Sequence, residues 1–219
     1  MLINYIGHST FQIKTEDKNI IIDPFILGNP WTQTEPEDYK DLTHIFVTHG
    51  HSDHLGDTVE IAKLSGALVY CNHEIAGYLA SKGVENIHGM HIGGAHGWVK
   101  MTPALHGSGI ETKDAILYGG LAGGFLLSLE DRLIYHSGDT GLSMEMKLLE
   151  DKVDLALLPV GGNYTMDIED AKLALGFIKP KAFIPMHFKT FPVIDVNPRD
   201  LVVEGIEGIY LEPGELVQW

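Results

Sequence analysis

Four residues between Thr48 and Asp57 are spaced for chemistry. In Thr-His-Gly-His-Ser-Asp-His-Leu-Gly-Asp, the side chains of His49, His51, Asp53 and His54 fall within six positions. Imidazole nitrogens and carboxylate oxygens are the ligands that zinc and its divalent neighbours take. Alternate residues of an extended loop project to one side, which groups His49 with His51, while Asp53 and His54 can face a second point. The spacing suits two cations sharing one segment. A lone histidine is most often structural, but four ligand-type side chains at this spacing directly after a strand are not explained that way. Serine and cysteine chemistry find no comparable support: Ser9, Ser52 and Ser108 adjoin histidines without a nucleophile-elbow pattern, and Cys71 has no second cysteine and reads as a small buried hydrophobe.

Such a cluster needs strands to deliver it. Three segments share one plan, a short apolar strand ending in polar residues: residues 41–48 run into His49, 153–159 into Val160-Gly161-Gly162-Asn163, and 179–186 into His187. After the first, an apolar pattern at helical spacing covers 57–64 with Asp57 and Thr58 as cap candidates; after the second, another covers 167–178 with Asp167 near its start. Upstream, residues 2–6, 11–15 and 19–22 read as strands, the last ending at Asp23-Pro24, where proline forbids a further ladder bond. Residues 27–41 read as a surface loop. A strand over 66–70 precedes a helix over 74–82 closed by Gly83. Short apolar runs broken by glycines from 88 to 136 read as antiparallel strands, and the tail from 205 to 219 as two short strands around Glu212-Pro213-Gly214-Glu215.

At 219 residues the chain fits one domain, 1–219, with a core large enough to need no cross-link. A single cysteine excludes an internal disulfide framework and points to a reducing, cytoplasmic setting. No apolar run approaches the roughly 20 residues of a membrane helix, so no membrane partner is expected. Thirty acidic residues against fifteen basic ones give a net charge of −15, with only two arginines. That balance argues against nucleic acid, whose binding rests on Lys and Arg neutralising phosphates. A small-molecule substrate is expected instead, and homo-oligomerisation is left open.

In chain order, His49-x-His51-x-Asp53-His54 followed by His106, Asp139 and His187 resembles the signature of the metallo-β-lactamase superfamily. The resemblance implies an α/β fold, a four-layer α/β/β/α sandwich. It implies that His106 joins His49 and His51 at one metal, that Asp139 in Ser-Gly-Asp-Thr is the bridging carboxylate, and that His187 joins Asp53 and His54 at the other. Two divalent ions follow, zinc first, with manganese, iron or nickel also suited to an all-His/Asp set. The segments Tyr5-Ile6-Gly7-His8-Ser9-Thr10, Ile22-Asp23-Pro24-Phe25 and Gly161-Gly162-Asn163-Tyr164-Thr165-Met166 resemble the branch that contains L-ascorbate-6-phosphate lactonase.

With the ligand count full, Asp23 is expected to accept a hydrogen bond that orients a ligand histidine. The activity implied is hydrolysis of a small ester, lactone or phosphoester by a metal-bridging hydroxide, with Asp53, His8 and Asn163 as the residues closest to catalysis. A metal-dependent redox protein and a non-catalytic metal or metabolite binder on the same fold are the alternatives. His44, His73, His88, His91, His96 and His136 are expected to stand outside the ligand set.

Overall fold

Uninterrupted runs such as Ile20-Ile21-Ile22 and Leu155-Ala156-Leu157-Leu158 have no solvent-facing alternation, and such strands form where both faces of a sheet are covered. Residues 20–22 and 155–158 are all buried in the computed structural model, which describes residues 1–219. The chain divides into two units, one of Met1–Ile92, Gly107–Ala122 and Glu212–Trp219, the other of Gly93–His106 and Gly123–Leu211.

The first unit is built on seven strands: β1 (Leu2–Gly7), β2 (Thr10–Lys14), β3 (Asn19–Ile22), β4 (His44–Phe46), β5 (Leu68–Asn72), β6 (Ile87–Met90) and β16 (Leu216–Gln218). Their spatial order is β16-β1-β2-β3-β4-β5-β6. The β16-to-β3 half is antiparallel and the β3-to-β6 half parallel. Helices α1 (Ser52–Leu55), α2 (Thr58–Ser65) and α3 (His73–Ser81) follow the parallel strands. Ile61 and Ala62 of α2 and Ile75 and Leu79 of α3 join Ile21, Ile45, Val69 and Cys71 in one apolar cluster. Truncating a fully buried isoleucine such as Ile45 to alanine costs about 2–5 kcal/mol in cores of this kind. Burial pushes the Cys71 thiol up to about 12, so it remains a protonated core group. A separate two-stranded hairpin, β9 (Gly109–Glu111) with β10 (Ile116–Tyr118), completes this unit.

The second unit carries β7 (Ala95–His96), β8 (Val99–Pro103), β11 (Gly123–Leu129), β12 (Arg132–His136), β13 (Leu155–Pro159), β14 (Ala182–Met186) and β15 (Glu207–Gly208). They are ordered β15-β14-β13-β12-β11-β8-β7, parallel from β12 to β15 and antiparallel beyond. The helix α4 (Ile168–Ile178) follows β13, capped by Asp167, whose carboxylate accepts the Asp170 N–H at 2.9 Å. Within each unit the metal-type residues leave the C-terminal ends of strands, the end at which open α/β sheets gather their ligands.

The structure corrects several expectations. Residues 52–55 are a helical turn, not extended loop, so Asp53 and His54 are aimed by helix geometry. Asp57 precedes α2, but its carboxylate caps nothing there; it accepts the Ile26 and Leu27 N–H groups, each at 2.8 Å. The strand β6 pairs parallel with β5 rather than antiparallel with a neighbour. The two tail strands do not pair around their turn, since β15 joins β14 and β16 joins β1.

Gly56 ends α1 with φ +42°, and a Cβ there would collide with the Pro24 carbonyl. Gly66 ends α2 with φ +68° and nothing within 4 Å of a Cβ. Gly66→Ala should cost about 1–2 kcal/mol, the left-handed penalty alone, and Gly56→Ala distinctly more. Urea unfolding of the two variants checks this; equal losses would show that the Pro24 turn yields freely.

Candidate metal centre

In the first unit the motif residues follow β4 and enter α1. His49 and His54 are buried, His51 and Asp53 half-buried. Asp23, at the end of β3, organises them. Its carboxylate accepts the Thr48 N–H at 2.8 Å, the Thr48 hydroxyl at 2.7 Å and the His54 Nδ1–H at 2.7 Å. Because the Thr48 hydroxyl donates to Asp23, its oxygen is left to accept from His49 Nδ1, 3.0 Å away. Both histidines thereby carry their proton on Nδ1 and present an unprotonated Nε2, the form a metal binds. His49 Nε2 lies 3.0 Å from His51 Nδ1. Two nitrogens on one tetrahedral zinc stand roughly 3.3 Å apart, given Zn–N bonds of about 2.0–2.1 Å, so this pair fits a shared cation.

His8 also belongs to this unit's set. It is fully buried after β1, with φ +58°, its carbonyl held by the Tyr5 hydroxyl at 3.0 Å. Its Nε2 lies 3.2 Å from Asp53 Oδ2, and the ligand-type atoms of His8, Asp53 and His54 fall within 4.8 Å of one another. Asp53 is thus flanked by two imidazoles.

In the second unit Asp139 is the centre of a smaller set. Its Oδ2 lies 2.9 Å from His187 Nε2 and 3.7 Å from His106 Nε2. Contacts made by backbone N–H groups hold the surrounding segments in place. The Leu105 N–H donates to the Thr140 hydroxyl at 2.9 Å and the Gly141 N–H to the Leu105 carbonyl, tying the residue before His106 to the residues after Asp139. The Gly138 N–H donates to His136 Nδ1 at 3.1 Å, so the buried His136 shapes the Asp139 turn. His187 has φ +57°, and its carbonyl passes so close to Gly161 that a side chain there would collide. One carboxylate against two imidazoles is the arrangement a bridging metal ligand needs.

Asn163 stands differently from the other expected residues. It lies in an exposed turn after β13 with φ +50°, and its side chain makes no hydrogen bond or ion pair. Nine non-glycine residues have positive φ, and His8, Asp23, Asn163 and His187 are four of them. Left-handed backbone at such residues costs of order 1–3 kcal/mol each and gathers where function demands an aimed side chain. The spacing of metal-type residues alone passes over Thr48; its one signal in the sequence is a hydroxyl residue directly before His49 at a strand end.

Asp23→Asn sets an amide donor against His54 Nδ1–H or Thr48. It should weaken metal binding about 10–100-fold, read by chelator competition on protein whose circular dichroism matches the wild type. Unchanged affinity would remove Asp23 from the site.

Comparison with known proteins bears on these sets. The family model described as "Beta-lactamase superfamily domain" matches residues 2–187. A UPF0173 metal-dependent hydrolase of Alkaliphilus metalliredigens is 53% identical over 205 residues, covering 91% of this chain and 90% of that protein. A second protein of that description, from Bacillus licheniformis, is 46% identical over the full length of both. Among solved structures, Igni18, a metallo hydrolase of the archaeon Ignicoccus hospitalis, superposes with a TM-score of 0.87 at 35% identity, covering 99% of this chain and 97% of that one. With its α/β architecture of two large sheets and its His/Asp sets, the chain belongs to the metallo-β-lactamase superfamily, as one of its metal-dependent hydrolases.

Proposed function

We propose that residues 1–219 act as one domain that uses two divalent cations to hydrolyse a small ester, lactone or phosphoester. His49, His51 and His106 would hold one cation, Asp53, His54 and His187 the other, and Asp139 both. The observation that carries the reading is the Asp23–Thr48 relay, which keeps the proton of both His49 and His54 on Nδ1 and turns Nε2 to a metal. The position of Asp139 against His106 and His187 supports the bridging role. Zinc suits the donor set best, since nitrogen ligands at near-tetrahedral separation are its preference.

When bound, such cations supply Lewis acidity and lower the pKa of water, which serves as nucleophile. The chain's own residues aim and enclose. His8 holds the Asp53 carboxylate on one oxygen while His54 lies toward the other, which makes His8 a positioning residue for that ligand. Asn163 reaches a substrate from its exposed turn. The net charge of −15 favours a small substrate over a polyanion. The motifs around His8, Asp23 and Asn163 support a lactonase-like branch, and the single buried Cys71 supports a cytoplasmic setting. No helix is long and apolar enough to cross a membrane.

Protein purified without added metal should contain two equivalents per chain and should turn over a member of a panel of lactones and phosphodiesters. Asp53→Ala should lose one equivalent and at least about a thousandfold in kcat, the scale of losing one cation's share of the chemistry. Turnover that survives the substitution would refute the two-metal reading. His8→Ala should lower kcat with little change in KM, and Asn163→Ala should raise KM with kcat nearly kept. If both leave kcat/KM unchanged, neither residue has its proposed role.

A further inference from the structure

The hairpin β9–β10 belongs to neither seven-stranded sheet, and a single hydroxyl joins its base to the metal-type loop. Ser108, the residue before β9, is buried. Its Oγ accepts the Gly50 N–H at 3.0 Å and donates to the Gly119 carbonyl at 2.8 Å. Gly50 lies between His49 and His51, and Gly119 directly follows β10. All of these residues belong to the first unit.

Packing shows that the approach is built in. A Cβ at Gly50 would stand 2.7 Å from Ile110 Cγ1 and 2.8 Å from the Ser108 carbonyl oxygen, and a Cβ at Gly119 would collide with the same carbonyl. Two glycines thus let three stretches of backbone close around Ser108, a use that only the missing side chain permits. The far anchor is Asn72, at the end of β5. Its Nδ2 donates to the Gly119 carbonyl at 2.6 Å and to that of Leu121 at 3.0 Å, while its Oδ1 accepts the Ile75 N–H of α3 at 2.8 Å. The hairpin base is therefore a bracket, bonded at one side to the start of α3 and at the other to the loop of His49 and His51.

We propose that Ser108 is a positioning residue for His51, setting it beside His49 for the cation that the two would share with His106; the inference rests on the two-metal reading above. The loop from Thr48 to His51 needs two holds. Asp23 supplies the first, reaching His54 directly and His49 through Thr48, and it makes no bond to His51. Ser108 supplies the second. Glycine between two metal-type residues leaves φ and ψ loosely set, so the direction in which the chain leaves toward His51 depends on what holds the Gly50 N–H. The peptide unit is planar, so one bond to that N–H orients the whole His49–Gly50 link. The ring of His51 lies alongside the same segment, since a Cβ at Gly107 would stand 3.5 Å from its Cε1 and Nε2. The 3.0 Å separation of His49 Nε2 and His51 Nδ1 is what this hold maintains. Replacing Ser108 by alanine leaves the Gly119 carbonyl its Asn72 donor but takes the acceptor from a buried N–H at Gly50. The loss falls on the loop and not on the hairpin.

Zinc binding in competition with a chelator tests this. In an Asp53→Ala background, which on the two-metal reading keeps only the cation of His49, His51 and His106, adding Ser108→Ala should weaken zinc binding at least about tenfold, the lower end for losing a group that orients a ligand. Ser108→Ala alone should weaken one of two equivalents and spare the other, with an unchanged circular dichroism spectrum. Ser65→Ala is the control. Its hydroxyl likewise donates to one carbonyl and accepts one N–H, but at the end of α2, and its loss should leave both affinities at the wild-type value. A second readout needs no metal: in metal-free protein the Gly50 amide should exchange with deuterium distinctly faster in Ser108→Ala, while the Ile75 amide, held by Asn72, keeps its rate. Wild-type affinity at both equivalents in Ser108→Ala overturns the proposal and leaves the two-metal reading standing. Equal weakening of both equivalents, equal weakening by Ser65→Ala, or an unchanged Gly50 exchange rate overturns it as well. A wild-type chain that binds fewer than two zinc ions overturns the two-metal reading itself, and the proposal falls with it.

Discussion

A carboxylate sealed from solvent is costly unless donors converge on it, and Asp23 shows no solvent exposure at all. The donors that meet it are all drawn from the metal-type segment: the Thr48 N–H and hydroxyl, and the ring of His54. Meeting the needs of Asp23 and aiming the histidines are therefore one event. The strand β3 must reach its full length for Asp23 to arrive beside Thr48. The turn at Pro24 must then fold tightly against Gly56, where the Asp57 N–H donates to the Pro24 carbonyl at 2.9 Å. Asp57 secures the far side of the same turn by accepting from Ile26 and Leu27.

The second unit reaches a comparable result by other means. No separate buried carboxylate organises His106, Asp139 and His187. Glycines and backbone contacts do so: Gly138 bonded to His136, Gly161 pressed against the His187 carbonyl, and the Leu105–Thr140 bridge. Orientation by hydrogen-bonded side chains fixes proton positions, whereas orientation by close backbone approach fixes only direction. The tautomers of His49 and His54 are accordingly dictated by their neighbours.

Much of this is legible in the sequence, and the gaps have physical causes. The run from His49 to His54 is readable because its metal-type side chains are adjacent in the chain. His106 and Asp139 are isolated, and only the likeness to a known family singles them out, while His187 shows in the pattern only as the polar residue at the end of an apolar strand. Asp23 is expected to orient a histidine, and its carboxylate is bonded to His54; the threonine relay to His49 is hidden because a hydroxyl beside a histidine carries no periodic signal. Helix α1 is four residues long, too short for a helical period, so it reads as loop. The strands lie largely where apolar runs suggest, but strand direction leaves no mark on composition, which hides the parallel pairing of β6. Strands of two or three residues, such as β15 and β16, cannot display alternation, and their partners are not readable from sequence.

The pairing of β16 with β1 brings Leu2 opposite Gln218, and the Met1 amino group donates to the Trp219 carbonyl at 3.1 Å. During synthesis β1 therefore waits for residues 216–218, and until they are made the sheet of the first unit stands open along that edge.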